Sequence, residues 1–293
     1  MLKTLFFLIF TFLSGTLSIS EAQTSDPYSK ALRIFLEGKY FEASIEFERA
    51  VFYETDINRI ALYRYYKALC YKNLSDYPRA LRELDEVNLF STPDSLFLLI
   101  RYEQALGNYM TGDFNQSLWN FEDIRIRIKN EEEMIKILPL NILCLNAARE
   151  WTKARDAWKY FLENYGLQND EILDYESKIA SLYDKRSLPG YRSQQKARNL
   201  SRFIPGSGQM YCGAVMEGTV NLLINVSLLG FAFYEFYTKY YITGYYIGLG
   251  MFNKTYHGGM HRAYNLAGEK NDKLMNDFNI QNSALLIEIM DQK

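Results

Sequence analysis

Apolar residues along this chain keep two different rhythms. Between residues 27 and 165 they recur every third or fourth position, the period of a helix with one buried face. Over residues 219–252 they run almost without interruption. Within the first region four segments repeat one pattern: Tyr40, Ala43, Phe47, Ala50; Tyr77, Ala80, Leu84, Val87; Phe114, Ser117, Phe121, Ile124; and Trp151, Ala154, Trp158, Phe161. Neighbouring anchors, Tyr40, Tyr77, Phe114 and Trp151, are each 37 residues apart. An aromatic, a small residue three later, a large one four beyond and an apolar one three further share one stripe of a helix. The small residue lets a neighbouring helix approach. Ahead of each anchor runs another amphipathic segment, with Ala31, Ala68 and Ala105 each nine residues before it and a Gly or Ser turn between. The pattern predicts helical hairpins, stacked at a constant period.

Over residues 27–165 this pattern resembles the tetratricopeptide repeat family, which places a small residue, a turn, an aromatic, Ala, an aromatic and Ala at these offsets. It departs from the family at the fourth unit, where Ile142 takes the small first-helix position and no Gly precedes Trp151. The proline that often closes a repeat is missing, and the period exceeds the ~34 residues of the family. The resemblance implies an all-α helical solenoid over residues 23–184 whose concave groove binds a protein or peptide, with no catalysis. A plain helical bundle with chance periodicity is the alternative.

The first 13 residues place Lys3 before an apolar core, and Ser20-Glu21-Ala22 offers small residues three and one before a cleavage point. Residues 1–22 are therefore read as a secretory signal peptide. The alternative is an uncleaved anchor, although the apolar core is shorter than the ~20 residues of a spanning helix. With 48% hydrophobic residues, 23% charged residues and a net charge of -2, the composition points to no nucleic acid partner. Cys70, Cys144 and Cys212 form no C-x-x-C pair. Cys70 and Cys144 read as small core hydrophobes, and a disulfide between them stays open.

Residues 185–204 form a basic linker carrying Lys185, Arg186, Arg192, Lys196, Arg198 and Arg202, broken by Pro189-Gly190. Beside an apolar segment, such a stretch reads as a headgroup contact. It leads into FIPGSGQMYCGAVMEG at 203–218, where Gly206 and Gly208 match the first two glycines of G-x-G-x-x-G. Tyr211 stands where the third is needed, and no Lys-Ser or Lys-Thr pair follows, so the stretch is not read as a nucleotide site. Residues 205–256 read instead as a two-helix transmembrane hairpin, with apolar runs at 219–234 and 240–252 around a polar turn at 235–239. Glu217, Asn221 and Asn225 recur every fourth residue on one helix face, and Gly244 and Gly248 make a close-approach G-x-x-x-G step on the other helix. This polar face is read as interhelical hydrogen bonding, with an ion or solute path as the alternative. His257 and His261 are weak metal candidates at i, i+4 spacing, since Gly258 replaces the acid of H-E-x-x-H and Gly258-Gly259 weakens the helix. Residues 257–293 read as a C-terminal helical tail.

The opening P-G-x-G-Q-x-Y-x-G and the closing 256–265 stretch resemble the two edges of a C-terminal membrane-hairpin module of bacterial envelope proteins, over residues 196–272. That resemblance implies that Pro205, Gly206 and Gly208 bend the chain at the membrane interface. It also implies that Gln209 and Tyr211 sit at headgroup depth and that Gly213 lets the second helix close. It brings no catalytic residues and no cofactor. The expected protein is a scaffold or adaptor of the bacterial envelope, not an enzyme, anchored in the inner membrane with the solenoid facing the periplasm. Its partners would be a protein or peptide in the groove and membrane lipid. Two alternatives remain: a small membrane enzyme or transport component using the polar hairpin residues, and a soluble solenoid whose apolar hairpin is an oligomer interface.

Overall fold

In the computed structural model, which describes residues 27–291, each aromatic anchor is the first residue of a helix. The leader expected over residues 1–22 lies outside the described residues. Every regular element among the described residues is helical. They divide into two compact units, one holding the residues up to Asp184 and those from Asn279 on, the other spanning Lys185–Phe278.

The first unit contains α1 (Pro27–Leu36), α2 (Tyr40–Tyr53), α3 (Ile57–Asn73), α4 (Tyr77–Asp85), α5 (Asp94–Thr111), α6 (Phe114–Arg127), α7 (Glu131–Ala147), α8 (Trp151–Asn164) and α9 (Asn169–Leu182). Each anchor follows the same turn. The residue two before it is left-handed: Gly38 (φ 77°), Ser75 (φ 61°), Gly112 (φ 86°) and Arg149 (φ 63°). The next amide then reaches the carbonyl five residues back, Lys39 to Ile34 at 3.2 Å, Asp76 to Tyr71 at 2.9 Å, Asp113 to Asn108 at 2.8 Å and Glu150 to Leu145 at 2.9 Å. This closure satisfies carbonyls that the helix end leaves free. The fourth turn thus keeps the common geometry although Arg149 stands where glycine would be easier. A left-handed L-residue costs about 1–2 kcal/mol, and burial of Trp158 and Phe161, both 0% exposed, outweighs it.

Successive helices pack in chain order, and the first helices α3, α5 and α7 also touch one another. The stripe positions Ala43, Ala80, Ser117 and Ala154 are all buried between them. Where Ser117 replaces alanine, its hydroxyl donates to the Ala105 carbonyl at 2.7 Å, so the polar atom is not stranded. Side-chain contacts repeat with the same period. Arg64 pairs with Glu83 and Glu86, and Arg101, one period on, meets Asn120 and Asp123 at the equivalent offsets.

The disulfide left open between Cys70 and Cys144 is not formed; both thiols are free and buried. Cys70 packs with Ala31, Ala43 and Phe47, whereas Cys144 lies 3.0 Å from the Ser117 hydroxyl. They hold the same place in helices two repeats apart. Burial pushes both thiols up to about 12.

The second unit contains α10 (Gln194–Phe203), α11 (Ser207–Tyr211), α12 (Val215–Tyr237), α13 (Tyr241–Thr243), a π-helical stretch at Gly244–Leu249 and most of α14 (Gly250–Met290). The repeat turn recurs here twice. Gly213 (φ 90°) and Lys239 (φ 69°) are left-handed, and Ala214 and Tyr240 donate to Gln209 and Glu235 at 2.9 and 2.8 Å. Of the described helices, only Val215–Tyr237 is long and apolar enough to cross a membrane. The returning arm does not reach that measure, because its tyrosines and Lys254 dilute the apolar run. The helical tail expected over residues 257–293 falls within α14, which contributes up to Phe278 to the second unit and from Asn279 to the first.

Candidate functional site

The turn read as the way into the membrane is a tightly packed clamp. Gly206 is left-handed, at φ 88°, and a Cβ there would lie 1.9 Å from the Gly218 carbonyl oxygen. At Gly208 a Cβ would come within 2.0 Å of the Ala197 carbonyl oxygen and 2.8 Å of the Ala263 methyl. Two glycines are therefore required because three helices, α10, α12 and α14, crowd onto α11. Ala197, Cys212, Ala263 and Ala267 form the small-residue core of this crossing. Pro205 is half-buried at its edge.

Gln209, expected at headgroup depth, is buried within the protein, at 0% exposed. Its carboxamide accepts from the Ser201 hydroxyl at 3.0 Å and donates to the Gly259 carbonyl at 3.1 Å, while Ser201 accepts from the Gly208 amide at 3.0 Å. A side chain that both accepts and donates is needed to join a hydroxyl on α10 to a carbonyl on α14. Tyr211 is half-buried beneath the Arg192 guanidinium at 5.1 Å and the Lys196 ammonium at 5.4 Å. Part of the basic linker is thereby committed to a cation–π contact. The expected closing role of Gly213 is also corrected, since nothing lies within 4 Å of a Cβ there; its function is the left-handed turn. Asn271 fixes the linker from α14, accepting the Arg192 amide at 2.8 Å and donating to its carbonyl at 2.9 Å.

The polar face of α12 meets the returning arm in antiparallel order. Glu217 pairs with Arg262 at 2.9 Å, Asn221 lies against Gly259, and Asn225 accepts from Thr255 at 3.0 Å and donates to Asn221 at 2.9 Å. Further along, a Cβ at Gly248 would fall 2.5 Å from the Ala232 methyl, and one at Gly244 3.1 Å from Glu235. Hydrogen bonding to Glu217 raises the Arg262 pKa. The amides thus satisfy one another. Gly258-Gly259 does not break the helix; Gly259 makes room for Asn221.

Outside this contact line the arms are bare. Val220, Leu223, Val226, Phe233, Tyr234 and Tyr237 are exposed on α12, and Tyr241, Ile242, Tyr245 and Tyr246 on the return. His257 and His261 are both exposed, and among the described residues no group of three or more His, Cys, Asp or Glu could hold a metal ion.

Ser201 and Asn271 were not singled out by the sequence, and Gly218 and Arg262 entered only as members of the opening and closing motifs. Their contacts span between 7 and 79 residues, with no local periodicity to mark them. Compared with known proteins, the chain matches no family model, and no curated protein or solved structure is similar enough to count as a match.

Proposed function

We propose that the protein is a membrane-anchored interaction scaffold: a tetratricopeptide-like solenoid that presents a groove to a protein partner, tethered by a hairpin of α12 and the arm that follows it. The observation that carries the reading is the outward face of α12. Between Glu217 and Glu235 the helix carries no charge. At 100° per residue, its buried residues Gly218, Asn225 and Ala232 fall within about 40° of one another, while the exposed apolar ones spread over roughly 220°. A second copy packing on this helix covers a stripe about 100° wide. A surrounding lipid phase covers the whole arc, which favours lipid over an oligomer interface. The 23 residues of α12 extend about 35 Å, enough for a ~30 Å hydrocarbon core. The Glu217–Arg262 pair would lie at one edge, and Lys239 with its flanking tyrosines at the other.

The repeats supply the partner-binding half of the proposal, and a bacterial envelope setting follows from the leader and the hairpin module together. A cleaved leader would put the solenoid and the C-terminus outside the cytoplasm, with the Lys239 turn inside. The expected results are membrane retention after alkaline carbonate extraction and activity of an export-dependent reporter fused after Lys293 but not after Lys239. Release by carbonate counts against the anchor, and a reversed reporter pattern counts against the orientation. For the scaffold, a photo-crosslinking residue in place of Lys72, one period before Tyr109, should capture a discrete protein adduct in intact cells. Absence of any adduct counts against a partner in the groove.

A further inference from the structure

The repeat unit ends on a first helix that has no second. α9 continues the 37-residue register, Ile179 following Ile142 and Tyr183 following Asn146 by one period, and all four are buried. No helix begins at position 188, where the next anchor falls. What packs at this end is the 279–290 stretch of α14, which belongs to the same unit. Asn282 Oδ1 accepts from the Trp158 indole N–H at 3.0 Å and from the Tyr183 hydroxyl at 3.0 Å, and the same hydroxyl lies 2.7 Å from Asn146 Oδ1. Asn279 donates to the Tyr109 hydroxyl at 3.2 Å. Glu288 accepts from Tyr175 and Lys178 at 3.1 and 3.2 Å, while Leu286 and Ile289 are 0% exposed.

Tyr109, Asn146 and Tyr183 stand one period apart, so they occupy the same place at the C-terminal ends of α5, α7 and α9, Tyr183 as the capping residue that follows Leu182. A missing second helix would run beside α9 alone. A segment whose asparagines reach this position on successive first helices lies across them instead, on the face a repeat stack offers to an extended ligand. The seat is imperfectly matched: Asn146 Nδ2 and Asn279 Oδ1 are buried without a hydrogen-bond partner, which leaves a competitor free to bind better.

We infer that residues 279–290 are a helical ligand held in cis in the groove, and that a partner reaches α5, α7 and α9 by displacing it. The fitting partner is an amphipathic helix with two amides three residues apart, then apolar residues four and seven after the second, as Asn279, Asn282, Leu286 and Ile289 are arranged. The inference rests on the scaffold reading, but its test needs no external partner. Full-length protein in detergent is titrated with a fluorescent peptide of residues 277–291, comparing wild type with the double substitution Leu286→Asp, Ile289→Asp and with Asn282→Ala. The double variant should keep cooperative helical melting and bind the peptide at least about tenfold more tightly than wild type, whose site is filled. Asn282→Ala should fall between, and a peptide with both asparagines replaced by alanine should bind neither variant. Loss of cooperative melting in the double variant would make the segment part of the folded core and overturn the inference. So would a melting variant that binds no better than wild type. Either failure leaves the scaffold reading standing, because the partner half of that reading is tested separately, by adduct formation at Lys72.

Discussion

Gly112 in the repeat unit and Gly213 in the second unit sit in turns of the same kind, left-handed at φ 86° and 90°, each followed by an amide that reaches five residues back. The helices leaving those turns have opposite fates. After Gly112, α6 buries Ser117, Asn120, Phe121 and Ile124 and turns its acids and arginines outward, with Trp119 and Ile126 the large apolar residues left exposed among them. After Gly213, α12 buries Gly218, Asn225 and Ala232 and turns its large apolar residues outward. One local device thus serves both units, and the choice of small or large residues on the contact face decides what surface results. Where contact is made by glycine, alanine and asparagine, bulk is left over for the surroundings; where it is made by aromatic rings, polar groups are.

That contrast can be broken most sharply at glycine. Gly206→Ala adds a methyl 1.9 Å from the Gly218 carbonyl oxygen at a left-handed position, and should cost about 3 kcal/mol or more. Gly213→Ala and Gly112→Ala share the left-handed backbone but meet nothing within 4 Å, so each should cost only about 1–2 kcal/mol. Thermal melting of the three variants in one detergent ranks them; equal losses would mean that the clamp is not close-packed. Next comes the small stripe residue of the repeats. Ala80, 5% exposed, becomes overpacked in Ala80→Leu, with an expected loss of about 1–3 kcal/mol in urea unfolding.

A smaller effect, of opposite sign, is expected at Arg149. Its left-handed backbone, φ 63°, should relax in Arg149→Gly, raising stability by several tenths to about 1 kcal/mol; a loss would show that the arginine side chain matters more than its backbone. The mildest test is alkaline. Burial raises the Cys144 thiol from 9.0 to about 12 and does the same for Cys70. A raised folded value stabilises fully below the unfolded one, so this contribution should be intact below about pH 9 and lost as pH climbs toward 12. The melting temperature of the repeat unit should fall over that window, less so in Cys144→Ala, and neither thiol should react with a disulfide reagent at pH 8 without denaturant.

Much of the first unit was legible because its information is local and repeated. Tyr40, Tyr77, Phe114 and Trp151 each mark a helix start, since an amphipathic stripe needs only spacing to be read. The same arithmetic carried one period further would have found α9 through Ile179 and Tyr183. The clamp residues were legible in part: glycines at 206 and 208 announced a special backbone, but not which carbonyl crowds them. The bridging role of Gln209 was not legible, because nothing local to a polar residue beside an apolar run points to its two partners, 8 and 50 residues away.

By itself, then, the sequence determined the helical class, the period, the turns and the apolar stretch of α12, all of which depend on residues within a turn or two of each other. Only the tertiary structure decided that Gln209 is an internal bridge, that the two buried cysteines stay apart, and that the last turns of α14 pack against the repeats. Those outcomes depend on which distant groups complete a buried donor or acceptor, and that pairing has no period along the chain.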